Sequence, residues 1–155
     1  VTDMSRVADQ LEIAALLSRY ARAVDTKDWE LYRSVFTEDA VIDYSCNGIP
    51  AGPRDDIAAF LAQAFTAIQM SMHYITNVEL TFDDTGGQGR GDPGSGVGDV
   101  ATVRAMFYNP MQLPGKAELS YCGGYYHHEV VRTADGWRSR HLREDNLWFV
   151  NPLQA

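Results

Sequence analysis

Ile13, Leu16, Leu17, Tyr20, Ala21 and Val24 recur at three- and four-residue steps, a spacing that winds one apolar stripe along a helix. The pattern predicts a long helix from Asp9 onward, broken at Thr26 and Lys27. Such a helix needs a covering surface for its apolar side, and the rest of the chain has to supply it. Asp25 follows Ala21 by four residues and continues the stripe at its C-terminal end. A carboxylate there is opposed by the helix dipole by roughly a few tenths of a kcal/mol. If it is buried, it also needs a partner. Asp25 is therefore either a solvated end residue paired with Lys27 or a functional group held inside.

The covering surface is predicted to be a sheet. Segments His73 to Phe82, Val100 to Tyr108, Glu118 to Arg132 and Trp137 to Phe149 are rich in aromatic and β-branched residues. Asp135-Gly136 marks a hairpin between the last two. Ala40 to Cys46 reads as an earlier strand. Asp28 is placed as N-cap of a short helix from Trp29 to Phe36. Pro53 opens a third helix running through Ile68, with Asp55 and Asp56 in its first turn. The stretch 86–98 holds seven glycines in thirteen residues and reads as a flexible connection. Helices first and strands afterwards give a segregated α+β domain over residues 1–155.

Composition narrows the function. The formal charge is −8, and the thirteen basic residues are scattered, which argues against nucleic acid. No apolar run approaches the ~18 residues of a membrane span. Val1 to Arg6 lacks a signal-peptide pattern, so a cytoplasmic protein is expected. Cys46 and Cys122 have no metal-ligand spacing and are both expected to be buried small hydrophobes rather than a disulfide.

Leu11-Glu12-Ile13, Tyr20 through Trp29, Phe36 through Ala40, His73-Tyr74-Ile75-Thr76-Asn77 and Asp135 through Arg138 occur in the order and rough spacing of one family. Across nearly the whole chain the sequence resembles SnoaL-like proteins of the NTF2-like fold. Its nearest resemblance is to the scytalone dehydratase and hexachlorocyclohexane dehydrochlorinase branch. The resemblance implies a cone-shaped barrel, a curved and mostly antiparallel sheet wrapped around the first helix, with an enclosed pocket. It also implies a catalytic pair at Asp25 and His73, and pocket tyrosines at Tyr20 and Tyr44. Two departures stand out. The dehydrochlorinase has Lys where this chain has Tyr20, and the last strand offers no clear equivalent of its pocket Arg.

A His–Asp pair suits proton abstraction, because the carboxylate fixes the imidazole tautomer and stabilises the imidazolium that forms. Each residue also has a plainer reading. His73 could be a satisfied structural histidine, and Tyr20 and Tyr44 could be packing. Tyr126 and His128 complete the candidate substrate-binding set. His127 and His128 are adjacent on a strand, so only one can face the pocket. No metal site and no cofactor are expected. Gly89-x-Gly91-x-x-Gly94 mimics a dinucleotide fingerprint but precedes a strand, and Arg90-Gly91-Asp92 is read as an accident of the same glycine-rich loop. The leading expectation is a cofactor-independent, dehydratase-like lyase acting on a small apolar cyclic molecule. An isomerase or cyclase with the same pair, or a non-catalytic small-molecule-binding module, are the alternatives. A homo-oligomer, dimer or trimer, is expected from the apolar outer face of an open curved sheet.

Overall fold

A computed structural model describes residues 4–83 and 100–153. The glycine-rich stretch, with its fingerprint-like and Arg-Gly-Asp motifs, lies outside these residues. Three helices precede most of a seven-stranded mixed sheet: α1 (Met4–Thr26), α2 (Trp29–Val35), β1 (Phe36–Asp43), β2 (Gly52–Pro53), α3 (Arg54–Ala64), β3 (Met70–Ser71), β4 (Tyr74–Phe82), β5 (Val100–Gln112), β6 (Ser120–Thr133) and β7 (Gly136–Val150). The strand order is β2-β1-β7-β6-β5-β3, with β4 also paired to β5. The pairing of β1 with β7 is parallel; the other strand pairs are antiparallel. The sheet does not close on itself, so the expected barrel is an open curved sheet.

The predicted stripe of α1 is its buried side at Ile13, Leu16, Leu17, Tyr20 and Val24; Ala21, expected with them, is only half-buried, and Ala23 lies in the core instead. Asp28 caps α2, its Oδ1 accepting from the Leu31 N–H at 2.9 Å. Several boundaries differ from expectation, three of them around the first strand and the third helix. The first strand begins at Phe36, which is already extended at φ −111° and ψ 156°. It ends at Asp43 because Oδ1 of Asp43 accepts from the Ser45 N–H at 2.8 Å and turns the chain into a short 3₁₀ segment, Ser45–Asn47. That turn also exposes Cys46, contrary to its expected burial; Cys122 is buried, and both thiols are free. The third helix starts after Pro53 and stops at Ala64, passing into 3₁₀ turns at Phe65–Ala67.

Curvature comes from irregular pairing. β6 and β7 slip register between Gly123 and Gly124 and again between Glu129 and Val130. Gly124 is obligatory at the first slip, since a Cβ there would lie 1.9 Å from the Asp145 carbonyl oxygen. The β6–β7 turn is Ala134–Asp135, one residue earlier than read from sequence, and Gly136 follows it at φ +95°.

The start of α1 is pinned to this hairpin. Trp137, fully buried, donates from Nε1 to Asp9 Oδ1 at 3.2 Å and from its backbone N–H to Glu12 Oε1 at 3.0 Å. Arg132 pairs with the same Asp9 carboxylate and lies over the Trp137 ring. With one end fixed here, α1 carries Asp25 to the opposite end of the sheet. Among the described residues no helix is long and apolar enough to cross a membrane.

Candidate active site

At that opposite end, α1, α3, the 3₁₀ segment and β5–β7 surround a cavity of about 710 Å³. Its walls are mostly apolar, with Val24, Leu61, Phe65, Ile68, Phe107 and Met111 among them. The cavity is not enclosed as expected. Its rim includes Leu147, Trp148 and Phe149 of β7 and Leu153 beyond it, all exposed.

His73 stands on the cavity wall just before β4, and Asp25 lies behind it. Asp25 holds His73 twice: Oδ1 lies 2.6 Å from ring Nδ1, and Oδ2 accepts the His73 backbone N–H at 2.8 Å. The first contact fixes the ring tautomer, and the second fixes the residue's place on its strand. The Lys27 pairing considered for Asp25 does not form; the Lys27 ammonium donates to the Ile68 carbonyl at 2.6 Å instead. The His73 side chain is only 7% exposed and that of Asp25 21%, so this pair is largely shielded from water.

Asn109, on the inner face of β5, occupies the other ring nitrogen, with its Nδ2 3.0 Å from His73 Nε2. The amide can serve either state of the ring. With its N–H on a neutral Nε2 lone pair, the Asn109 carbonyl is left facing the Met72 and Pro110 carbonyls, which disfavour it. Turned over, its carbonyl accepts from Nε2–H at the same distance, while the amino group donates to the Met72 and Pro110 carbonyls at 3.1 Å each. A ligand that uses Nε2 must therefore displace or share Asn109.

The tyrosines form a connected floor. Tyr44 Oη lies 2.8 Å from Tyr20 Oη and 3.1 Å from Tyr32 Oη. Three hydroxyls sharing two hydrogen bonds leave one O–H for a ligand. Tyr20, Tyr44 and Tyr126 line the cavity, whereas Tyr32 supports them from behind. Burial pushes the phenols of Tyr20, Tyr44 and Tyr126 well above their ordinary value, so they act as neutral donors. His128 is placed differently from expectation: it does not line this cavity. Its ring packs beneath Tyr20 and Tyr126, and Nδ1 meets Ser139 Oγ at 3.0 Å. Burial pushes its pKa down to about 3, keeping it neutral. His127 faces the other side and meets Asp145 at 2.9 Å.

Among the cavity residues that the sequence reading does not single out, two matter most for the chemistry. One is Asn109. The other is Glu144 on β7, directly paired with Tyr126 across the sheet and only 8% exposed. Its Oε1 accepts from Asn47 Nδ2 at 2.9 Å, and Asn47 Oδ1 in turn accepts from Asn146 Nδ2 at 2.9 Å. Burial raises the Glu144 pKa from its ordinary value, against the lowering pull of Asn47 and of a charged His73. Among the described residues no group of three or more His, Cys, Asp or Glu is arranged to hold a metal ion.

Residues 5–143 match the family of the SnoaL-like domain. Protein Rv2910c of Mycobacterium tuberculosis is 32% identical over 136 residues, covering 87% of this chain and 83% of that protein. The crystal structure of the Kfla4162 protein from Kribbella flavida shares 30% identity with a TM-score of 0.78, covering 94% of this chain and 95% of that one. Hexachlorocyclohexane dehydrochlorinase LinA-type3 from Novosphingobium barchaimii superposes with a TM-score of 0.78 over 99% of this chain and 97% of that one. At 18% identity, that last likeness speaks for the fold alone.

Proposed function

The chain belongs to the SnoaL-like domain family, with an NTF2-like fold, and we propose that it is a dehydratase-like lyase whose proton-abstracting base is His73, oriented by Asp25. The observation that carries this reading is the two-point grip of Asp25 on a histidine at the wall of a largely apolar cavity. The reading needs no cofactor for its proton steps. With Nδ1–H committed to Asp25, the Nε2 lone pair takes a proton from a carbon next to an activating group. Asp25 stabilises the imidazolium that results, and Asn109 can turn its carbonyl toward the new Nε2–H. The spare phenolic O–H of the tyrosine floor polarises the activating oxygen without placing a charge in the cavity. The cavity volume suits a small, mostly apolar ring compound.

The test uses 1-tetralone, a cyclic ketone with exchangeable protons beside its carbonyl. In deuterium oxide the protein should accelerate α-proton exchange above the buffer rate, followed by proton NMR. Binding of the ketone with no accelerated exchange would favour a non-catalytic binding module instead.

We propose also that the chain forms a dimer or trimer. Tyr74, Met106 and Tyr108 are exposed neighbours on β4 and β5, an apolar patch suited to a second copy. Sedimentation should give a multiple of the 17.3 kDa chain mass; a monomer at micromolar concentration would exclude the assembly.

A further inference from the structure

The reading of His73 as a base leaves unassigned the carboxyl of the cavity wall, Glu144. A carboxyl this deeply buried is costly to keep charged unless it is well paired. Its one hydrogen bond among the described residues comes from Asn47, a neutral amide. Among the described residues, the side chains around it do not supply a fixed positive charge. Tyr20 from α1 and Tyr126 and Cys122 from β6 are neutral acids themselves, each of whose ionisation Glu144 opposes. Tyr32 of α2 and Cys46 of the 3₁₀ segment feel it in the same way. Asp145, its neighbour on β7, is a like charge; only His73, once protonated, would attract it. The raised pKa of Glu144 accords with this setting.

We propose that Glu144 is held as a carboxylic acid and is the group that donates a proton to the oxygen leaving group of this dehydration. This rests on the assignment of His73 as base and gives a second residue of the same cavity its part in the reaction. His73 Nε2 takes the proton from carbon, and the C–H electron pair becomes the new C=C bond. The C–O bond breaks with its pair on oxygen, Glu144 delivers its proton there, and water departs. The Glu144 carboxylate and the His73 imidazolium then reset by proton exchange through the open mouth. Hydroxide needs such a donor to leave, whereas chloride leaves as an anion and gains nothing from one.

Infrared difference spectroscopy and calorimetry test this with two probes of one ring skeleton, 2-tetralol and 2-chlorotetralin. At neutral pH the wild-type chain should show a protonated-carboxyl C=O band that Glu144→Gln removes. The alcohol should shift that band and the chloride should not. The alcohol should also bind about tenfold or more tighter relative to the chloride in wild type than in Glu144→Leu. Glu144→Asp, the least disruptive replacement, should keep a displaced band if the other variants fold poorly. An ionised Glu144 in the wild type, a band indifferent to the alcohol, an unchanged preference in Glu144→Leu, or failure of the alcohol to bind would each overturn the proposal. In His73→Ala the band and the preference should persist. Loss of ketone exchange with both retained therefore separates failure of the base from failure of the acid.

Discussion

Replacing His73 with alanine should lower ketone exchange, and turnover of the natural substrate, by at least about 10²-fold, the usual scale for a general base. The ring packs 6.5 Å from Tyr20 by centroid distance, yet it sits at the cavity wall rather than deep in the core, so the variant should fold. The loss should fall on the rate rather than on ligand affinity, because the apolar walls and the tyrosine floor remain. Asp25→Asn provides a sharper version. An asparagine amide can donate to Nδ1 and hold the wrong tautomer, with the proton on Nε2. Its activity should fall even though size and position are kept. A His73→Ala variant as active as wild type would remove His73 from the chemistry altogether. Full activity in Asp25→Asn alone would leave the base and discard its orientation by the carboxylate.

The largest effect on stability is expected at the other end of the molecule. Trp137 is fully buried, stacks edge-on to Phe82 at 6.1 Å, and hydrogen-bonds Asp9. Replacing it with alanine should cost about 3–5 kcal/mol, or on the order of 10 °C in melting temperature for a domain of this size. Trp137→Phe separates the terms: it restores most of the volume but not the Nε1 donor, and should recover more than half of the loss. Chemical unfolding measures both. A loss under about 1 kcal/mol in the alanine variant would mean that the anchoring of α1 to the hairpin contributes little.

The parts of the molecule legible in sequence are those governed by one period. The α1 stripe was readable because nothing interrupts its helical spacing between Ile13 and Val24, and Asp25 could be placed as its continuation. That Asp25 meets His73, forty-eight residues away, came from family resemblance and not from periodicity. Glu144 was hidden by a bulge. Counting outward from the hairpin turn without interruption pairs Tyr126 with Arg143, which would turn the arginine inward. The extra residue on β7 opposite Glu129–Val130 moves the partner to Glu144 and reverses the facing of the whole segment. A run of Arg143, Glu144 and Asp145 reads naturally as a solvated face, and nothing local marks its middle residue as buried. Asn109 was passed over because Pro110 looks like the end of a strand. β5 in fact continues to Gln112, with the Pro110 carbonyl accepting from Met72 N–H at 3.0 Å. Cys46 was misplaced by extending alternation past Asp43, where an Asx turn had already ended the strand.

The most direct test of His73 as an oriented base is a crystal structure with 1-tetralone bound. The α-carbon of the ketone should lie about 3–3.5 Å from His73 Nε2, with Asn109 moved off that nitrogen and Asp25 still on Nδ1. A ketone bound in the cavity with its α-carbon turned away, and Asn109 still occupying Nε2, would contradict it.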